Sequence, residues 1–468
     1  MIADSKARQL QALLGGLPAP VAARLAKAIE IDRLNEGRAL PHELILDGLR
    51  PVLRRVGDTS RTPTPLRLFC RPFEDLLTLQ PRKEKQKGRI ARSTIPLLWN
   101  WLAQTLAPDD VTSFAIKVKS AVLGMSSETA LDQAEMFWTL AAQAILTALD
   151  SERGRKSARA ILQDEAGVED AREIALLLSI GKEILVLQET LPRPLPSLTD
   201  EYVWKLRDIY DRVVQSVPDA APYIAVVAMH RLERPWEALK LPLMISRQTH
   251  DTLISNTDMG MVGEILFGDI EAYATAIRSV KPQMFDADDL ITNLAGFTAL
   301  STGMVKAIEM RRDGKWGQRL MKDRMAVAEV MESFMERAAK EILAALPTLK
   351  AGSYAGGPRV PDLSHGVDPE KSSRALSYAR LITGCRAFAA PASFGASNKD
   401  AIDEVCVAVK SYNEDLLKEL RAAEGDKRIH AEQFFSLAVE IVSQLFSGDE
   451  AEILRRRGRA ATGTAVAA

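Results

Sequence analysis

The sequence predicts an all-α protein with two to three helical units and little or no β-structure. Apolar residues recur at spacings of three and four, as in the stripe from Val327 to Leu346, and this spacing places them on one side of a helix. Alternation with a period of two, which is typical of half-exposed strands, is scarce. Apolar residues make up 47% of the 468 residues, which is enough material for large cores.

Proline and glycine divide the chain into units. Pro192, Pro194 and Pro196 cannot lie within one helix, because proline lacks the backbone N–H and restricts the residue before it. A second break, rich in glycine and proline, spans 350–370. We therefore predict an N-terminal helical unit (1–191), a methionine-rich helical unit (192–349), a linker (350–370), a C-terminal helical unit (371–454) and a basic, disordered tail (455–468).

Charge is balanced over the whole chain and unbalanced locally. The totals are 61 Lys and Arg against 62 Asp and Glu, so the chain as a whole is not a polycation. Between Arg50 and Arg92, however, twelve basic residues face four acids. The densest part is predicted to be an exposed loop that could hold phosphates through Arg82, Lys83, Lys85, Lys87, Arg89 and Arg92. The alternative is a solvated loop that faces the acidic remainder of the same protein.

Methionine is concentrated in the middle of the chain. Ten of the fourteen methionines lie between Met244 and Met335. Methionine is flexible and polarizable, so a surface rich in it can accept varied apolar partners such as an amphipathic helix. The same property lets methionine fill irregular cores, so the sequence leaves groove and core as alternatives.

Two acidic patterns suggest where an enzyme site would lie. Asp286, Asp288 and Asp289 have the D-x-D-D form that resembles the protonating motif of class II terpene cyclases. Asn256, Gly260 and Glu264 are loosely similar to the magnesium triad of class I terpene synthases, with glycine at the hydroxyl position. Because aromatic residues are only 6% of the chain and the repeats of the cyclases are absent, we assign no family. Carboxylates that begin a helix are the other interpretation of Asp286, Asp288 and Asp289.

Motifs for cofactors and metals are missing from the sequence. There is no phosphate-binding P-loop, no dinucleotide-binding glycine pattern and no pair of histidines at zinc-ligand spacing, so we predict no cofactor. The three cysteines are an odd number without a C-x-x-C pair, which favours a reducing cytoplasm. No run of apolar residues is long enough for a transmembrane helix.

Together these observations predict a non-catalytic helical interaction or regulatory protein of the cytoplasm, which binds a protein partner through an apolar helical face. Two alternatives remain. One is an enzyme with an inter-helical acidic site formed by Asp286, Asp288, Asp289 and Glu264. The other is a protein that binds nucleic acid or an anionic lipid surface through the basic loop. The sequence also allows an oligomer.

Overall fold

Helices dominate the architecture. The computed structural model describes residues 10–11, 13–34, 40–56, 62–79, 85–124, 126–246, 260–308, 310–350, 359–446 and 448–463. Within these ranges, strands are confined to two pairs of two or three residues each, which confirms the all-α prediction. The chain forms two compact units, Met1–Glu233 and Arg234–Ala468. In the described ranges, no helix is both long enough and apolar enough to cross a membrane.

The first unit is a helical assembly with one short pair of strands. Its helices are α1 (Ala19–Leu34), α2 (His42–Val56), α3 (Pro65–Cys70), α4 (Thr94–Trp101), α5 (Pro108–Leu123), α6 (Ser127–Asp150), α7 (Glu152–Leu162), α8 (Glu165–Ser179), α9 (Gly181–Thr190), α10 (Asp200–Ser216) and α11 (Pro222–Arg231). A 3-10 helix, Arg71–Leu76, follows α3 directly. Strands β1 (Leu77–Thr78) and β2 (Ile90–Ala91) pair in parallel.

Side-chain caps begin three consecutive helices of this unit. The hydroxyl of Ser126 accepts a hydrogen bond from a backbone N–H in the first turn of α6, and the Ser151 hydroxyl does the same for α7. The Asp164 carboxylate caps α8 in the same way. Each cap satisfies a backbone N–H that has no partner within its own helix. Polar residues at these positions therefore fix where the helices start.

Helix α6 lies at the centre of the first unit, where it packs against α5 and α8. Phe137 stacks on Phe114 of α5 with ring centroids 4.3 Å apart. Trp138, one residue further, is buried and donates from its indole N–H to the carbonyl of Leu68 at 2.9 Å. The N-terminal helices α1 and α2 pack on each other around a smaller apolar cluster that includes Ala22 and Leu49.

The second unit is also helical. Its helices are α12 (Lys240–Ser246), α13 (Met261–Ser279), α14 (Ala287–Ala307), α15 (Lys315–Ala344), α16 (Pro369–Gly384), α17 (Arg386–Ala389), α18 (Gly395–Ala422), α19 (Asp426–Leu445) and α20 (Gly448–Ala461). Strands β3 (Thr348–Lys350) and β4 (Arg359–Pro361) pair antiparallel. Helix α15 is the centre of this unit and packs against α13, α16 and α18. Its buried residues Met331, Phe334 and Ile342 continue the stripe that the sequence predicts.

The division into units differs from the one expected from the sequence. The proline-rich break at 192–196 lies inside the first unit, because Leu195 exchanges backbone hydrogen bonds with Arg231 and Glu233 at 2.8 and 3.0 Å. The segment 350–370 lies inside the second unit. Its ends form the β3–β4 pair, Leu363 is buried, and residues 351–358 lie outside the described residues. Proline and glycine thus mark turns within a unit at both places.

The described part of the C-terminal tail, 455–463, differs from the expectation of disorder, and residues 464–468 lie outside the described residues. Helix α20 continues to Ala461, and Arg457 binds both carboxylate oxygens of Glu414 in α18 at 2.6 Å. Arg455 and Arg456 form ion pairs with Glu452 in their own helix. Buried Ala451 and Leu454 supply the apolar side that fixes this helix to the unit.

Candidate functional site

A buried lysine ties the basic loop to the first unit. The side chain of Lys85 is 9% exposed. Its ammonium lies 2.6 Å from Oε2 of Glu173, 2.8 Å from Oδ1 of Asp170 and 2.5 Å from the carbonyl oxygen of Arg89. Removing a charge from water is costly unless partners surround it. Three oxygen atoms around one ammonium meet this requirement, and we call residues 85–94 the anchored segment.

The same two carboxylates hold the backbone of the anchored segment. Asp170 and Glu173 lie three residues apart in α8, a spacing that places both on one side of the helix. Glu173 accepts a hydrogen bond from the N–H of Gly88 at 2.9 Å. Asp170 accepts from the N–H of Ala91 at 3.1 Å and from the Thr94 hydroxyl at 2.8 Å. One side of α8 therefore fixes the anchored segment at several points.

Glu173 also binds a second helix of the first unit. Besides Lys85 and Gly88, its carboxylate accepts from the hydroxyl of Tyr223 in α11 at 2.9 Å. Burial raises the pKa of Glu173, while Lys85, Gly88 and Tyr223 act in the opposite direction. Among the described residues, the donors to this carboxylate all belong to the first unit. We call Lys85, Asp170 and Glu173 an internal ionic joint.

His230, near the end of α11, completes the contact with the anchored segment. Its Nε2 lies 3.3 Å from the carbonyl oxygen of Gly88, so the ring N–H donates to that oxygen. Burial, followed by the nearby positive charge of Arg89, lowers the pKa of His230 to about 4. The imidazole is therefore neutral at pH 7.

A second ionic joint lies beside the first. Asp75, in the 3-10 helix, is buried and accepts from Arg193 at 2.7 Å and from Arg231 at 2.8 Å. Arg231 also donates to the carbonyl oxygens of Gln188 and Leu191 at 3.2 and 2.7 Å. This joint fixes the end of α11 and the proline-rich turn, and α11 in turn carries His230.

The six predicted anion-binding residues are in different environments. Lys85 points into the unit and not to solvent, as described above, which differs from the exposed loop expected from the sequence. Lys87 and Arg92 are exposed, and Arg89 is half-buried. Arg82 and Lys83 lie outside the described residues. The structure therefore presents Lys87 and Arg92 on a fixed backbone.

The acids considered for an enzyme site have structural partners. Asp286 begins α14, where its carboxylate accepts from the N–H groups of Asp288 and Asp289 at 2.8 and 3.1 Å. This confirms the helix-start interpretation for Asp286. Asp288 forms an exposed ion pair with Arg380 at 2.9 Å, and Asp289 is exposed.

Glu264 is likewise bound within its own unit. It accepts from the indole N–H of Trp316 and from Arg319, both at 3.0 Å, and lies 3.5 Å from the ammonium of Lys315. Asn256 of the same sequence pattern lies outside the described residues. Glu264 therefore acts as a link between α13 and α15.

An open depression of about 510 Å³ lies beside the start of α14 and includes Asp286, Asp289 and Met284 in its lining. Two further polar side chains of its lining are bonded to helix backbone: Ser279 donates to the carbonyl of Ala276, and Asn293 donates to that of Asp289. Over the described ranges, no group of His, Cys, Asp or Glu has the arrangement of a metal site.

The methionine-rich region contains both core and surface residues. Met304, Met331 and Met335 are buried, as core filling requires. Met321 and Met325 of α15 are 48% and 67% exposed and lie four residues apart on the same side of the helix. Core filling therefore accounts for the three buried methionines, whereas Met321 and Met325 are exposed apolar side chains.

Sequence reasoning did not identify Asp170, Glu173, Tyr223 or His230. One signal was available: Asp170 and Glu173 each lie four residues before an apolar residue, Ile174 and Leu177, and so fall on the apolar side of the helix at 165–179. Acids at such positions are rarely fully buried unless paired, so they require a cation from elsewhere in the chain.

Comparison of the chain with known protein families, with curated proteins and with solved structures gave no match.

Proposed function

We propose that the protein is a non-catalytic interaction protein whose anchored segment binds the phosphate backbone of a nucleic acid. One observation carries this proposal. The buried carboxylates of Asp170 and Glu173 hold the backbone of the anchored segment, while the side chains of Lys87 and Arg92 are exposed to solvent. Cations held on a rigid backbone lose less conformational entropy on binding than cations of a flexible loop.

The character of the segment favours backbone contacts over base recognition. Phosphate contacts by Lys and Arg supply affinity without sequence specificity. Phe69 and Phe73, the aromatic residues between Arg50 and Arg92, are fully buried and belong to the core, so they are unsuited to stacking on bases. We therefore expect weak discrimination between nucleic-acid sequences.

The test is the salt dependence of binding to a labelled 20-base-pair DNA duplex, followed by fluorescence anisotropy. The affinity should fall steeply as salt rises, because each phosphate contact releases counterions. The slope of log K against log salt is negative, and the variant Lys87→Ser/Arg92→Ser should make it shallower by about two, at roughly 0.9 per lost phosphate contact. Lys85 is left unchanged because it lies inside the unit.

A matched control removes the same charge elsewhere in the first unit. Lys117 of α5 and Lys182 of α9 are both exposed, and the variant Lys117→Ser/Lys182→Ser should keep the slope of the wild-type protein. Equal slopes for the wild type and for Lys87→Ser/Arg92→Ser would contradict the proposal, as would the absence of binding at low salt.

Met321 and Met325 support a second candidate function, the binding of an apolar helix from a protein partner. Two exposed methionines one helical turn apart give the spacing at which a partner helix presents its own apolar residues. Placing a photo-crosslinking amino acid at position 325 would capture such a partner. Crosslinking of the partner should be lost in the variant Met321→Glu. It should be kept in the control variant Val407→Glu, because Val407 lies on a different helix, α18, and is also exposed, at 72%.

We also propose a cytoplasmic location. All three cysteines, Cys70, Cys385 and Cys406, are free thiols, and free thiols persist in a reducing compartment. Fractionation of the source cells with an antibody to the chain would test this proposal. Recovery with secreted or membrane material would contradict it.

A further inference from the structure

Gly88 is held on both sides by groups of the first unit. Its N–H donates to Glu173 of α8, and its carbonyl accepts from the ring of His230 of α11. Gly88 adopts φ 79°, a left-handed conformation that glycine tolerates without strain. The contact at His230 involves an imidazole, and an imidazole changes its charge at mildly acidic pH.

Charged groups from three elements face His230. Arg89 approaches from the anchored segment, Asp75 from the 3-10 helix and Arg193 from the proline-rich turn. The neighbouring residue Arg231 is bound to the same Asp75 at 2.8 Å. Protonation of His230 would therefore add a positive charge to a site that already contains several arginines and is partly buried.

We propose that His230 makes the anchored segment acid-sensitive, so that protonation of the imidazole favours release of the segment from α8 and α11. The biological consequence, regulation of nucleic-acid binding by pH, rests on the proposed function. The release itself is a property of the first unit and can be measured without any ligand.

The direction of the effect follows from the two protonation equilibria. Burial, and then Arg89, lowers the pKa of His230 from 6.5 to about 4 while the segment is attached. A histidine with a lowered pKa contributes stability that is complete above pH 6.5 and is lost as the pH falls toward 4. Release exposes the ring, so the released state takes up the proton more readily and gains population in this range.

Glu173 acts in the opposite direction. Burial raises its pKa, so proton uptake by Glu173 favours the attached state as the pH falls. The shift at His230 is large, and we expect it to dominate. Replacing His230 should therefore remove the acid sensitivity, or reverse its sign, and not merely weaken it.

The test is native-state hydrogen exchange of the backbone amides of the anchored segment between pH 7.5 and pH 5. The measured rates are corrected for the pH dependence of the intrinsic exchange rate of an unprotected amide. The informative amides are those of Gly88 and Ala91, which donate to Glu173 and Asp170. In the wild-type protein, opening should be about tenfold more frequent at pH 5 than at pH 7.5. Unchanged opening over this range would overturn the proposal.

The variant His230→Gln keeps a hydrogen-bond donor and removes the titration. Its opening should stay constant or become rarer as the pH falls, and a tenfold increase like that of the wild type would overturn the proposal. His430→Gln is the matched control, because His430 of the second unit also contacts a backbone carbonyl, that of Leu363, at 2.9 Å. This control should keep the full acid sensitivity of the anchored segment.

A second measurement covers the case in which His230→Gln does not fold. The imidazole resonances of His230 in the wild-type protein should titrate well below pH 6.5, and a midpoint near 6.5 would overturn the proposal. Neither measurement uses nucleic acid. A failure of the DNA-binding test would thus reject the proposed function while leaving the acid-sensitive joint to be decided by exchange and titration.

Discussion

The ammonium of Lys85 lies 2.6 Å from the carboxylate of Glu173, although the two residues are 88 positions apart in the chain. Both side chains are nearly excluded from solvent, at 9% and 6% exposure. The pair thus joins a loop to a helix through charges that neither element could bury by itself.

Replacing Lys85 by methionine should destabilise the first unit by about 3–5 kcal/mol, because Asp170 and Glu173 would remain buried without their cation. Urea unfolding followed by circular dichroism measures the change. Lys87→Met is the control, since Lys87 is exposed, and its effect should stay below about 0.5 kcal/mol. Adding Asp170→Asn and Glu173→Gln to Lys85→Met should recover part of the loss; no recovery would argue against unpaired charge as the cause.

Removing the cap of α14 should have a moderate cost. Asp286→Ala should cost about 0.5–2 kcal/mol, whereas Asp286→Asn should be nearly silent because asparagine caps about equally well. Asp288→Asn should cost less than about 1 kcal/mol, since its ion pair with Arg380 is exposed. Thermal unfolding of the three variants tests the order. Loss of cellular function by either asparagine variant, with normal folding and abundance, would favour the enzyme alternative.

The cysteines should differ in reactivity toward iodoacetamide at pH 8. Burial raises the pKa of Cys70 and of Cys385 to about 12, so almost none of either thiol is ionised. Burial also raises the pKa of Cys406, but by less, and Lys410 and Arg386 oppose the rise. Peptide mapping by mass spectrometry should find Cys406 labelled at least about tenfold faster. Cys70 is the informative comparison because both side chains are partly exposed, and equal rates would contradict the prediction.

A methyl group added at Gly263 should destabilise the second unit, although alanine normally favours a helix over glycine. A Cβ atom there would lie 2.2 Å from the ring of Trp316, which is buried and bonded to Glu264. Gly263→Ala should cost about 1–3 kcal/mol through overpacking, measured by urea unfolding. Gly448→Ala is the control, since a Cβ atom there meets nothing within 4 Å and should be neutral or slightly stabilising. Equal stability of both variants would contradict the close approach.

The helices could be predicted because their signal is local. The stripe from Val327 to Leu346 has the spacing of one helix face, and α15 buries that face. The short apolar run at 223–227 is ambiguous in the sequence alone, because a buried strand and a buried helix look alike over five residues. The structure resolves it as part of α11, which is buried over nearly its whole length.

The candidate site could be predicted only in part because its partners are distant in the chain. The basic run around Lys85 was visible in the sequence, and its exposure was expected from its charge. Lys85 is buried because it pairs with Asp170 and Glu173, which are distant in the chain. No pattern in the sequence near Lys85 indicates that pairing. The expected boundary at 191 differs from the division at Glu233 for a related reason: the backbone of Leu195 bonds to that of Arg231, and proline content does not reveal such a contact.

The ionic joint also constrains how the chain can change during evolution. Replacing Lys85 alone leaves Asp170 and Glu173 buried without their cation, and replacing either carboxylate alone removes one of the two anions that hold Lys85. Substitutions at these three positions should therefore occur together in descendants of this chain, with all three charged residues replaced by neutral ones. Lys87, two residues away and exposed to solvent, takes no part in the joint, so its substitution does not require a change at those three positions.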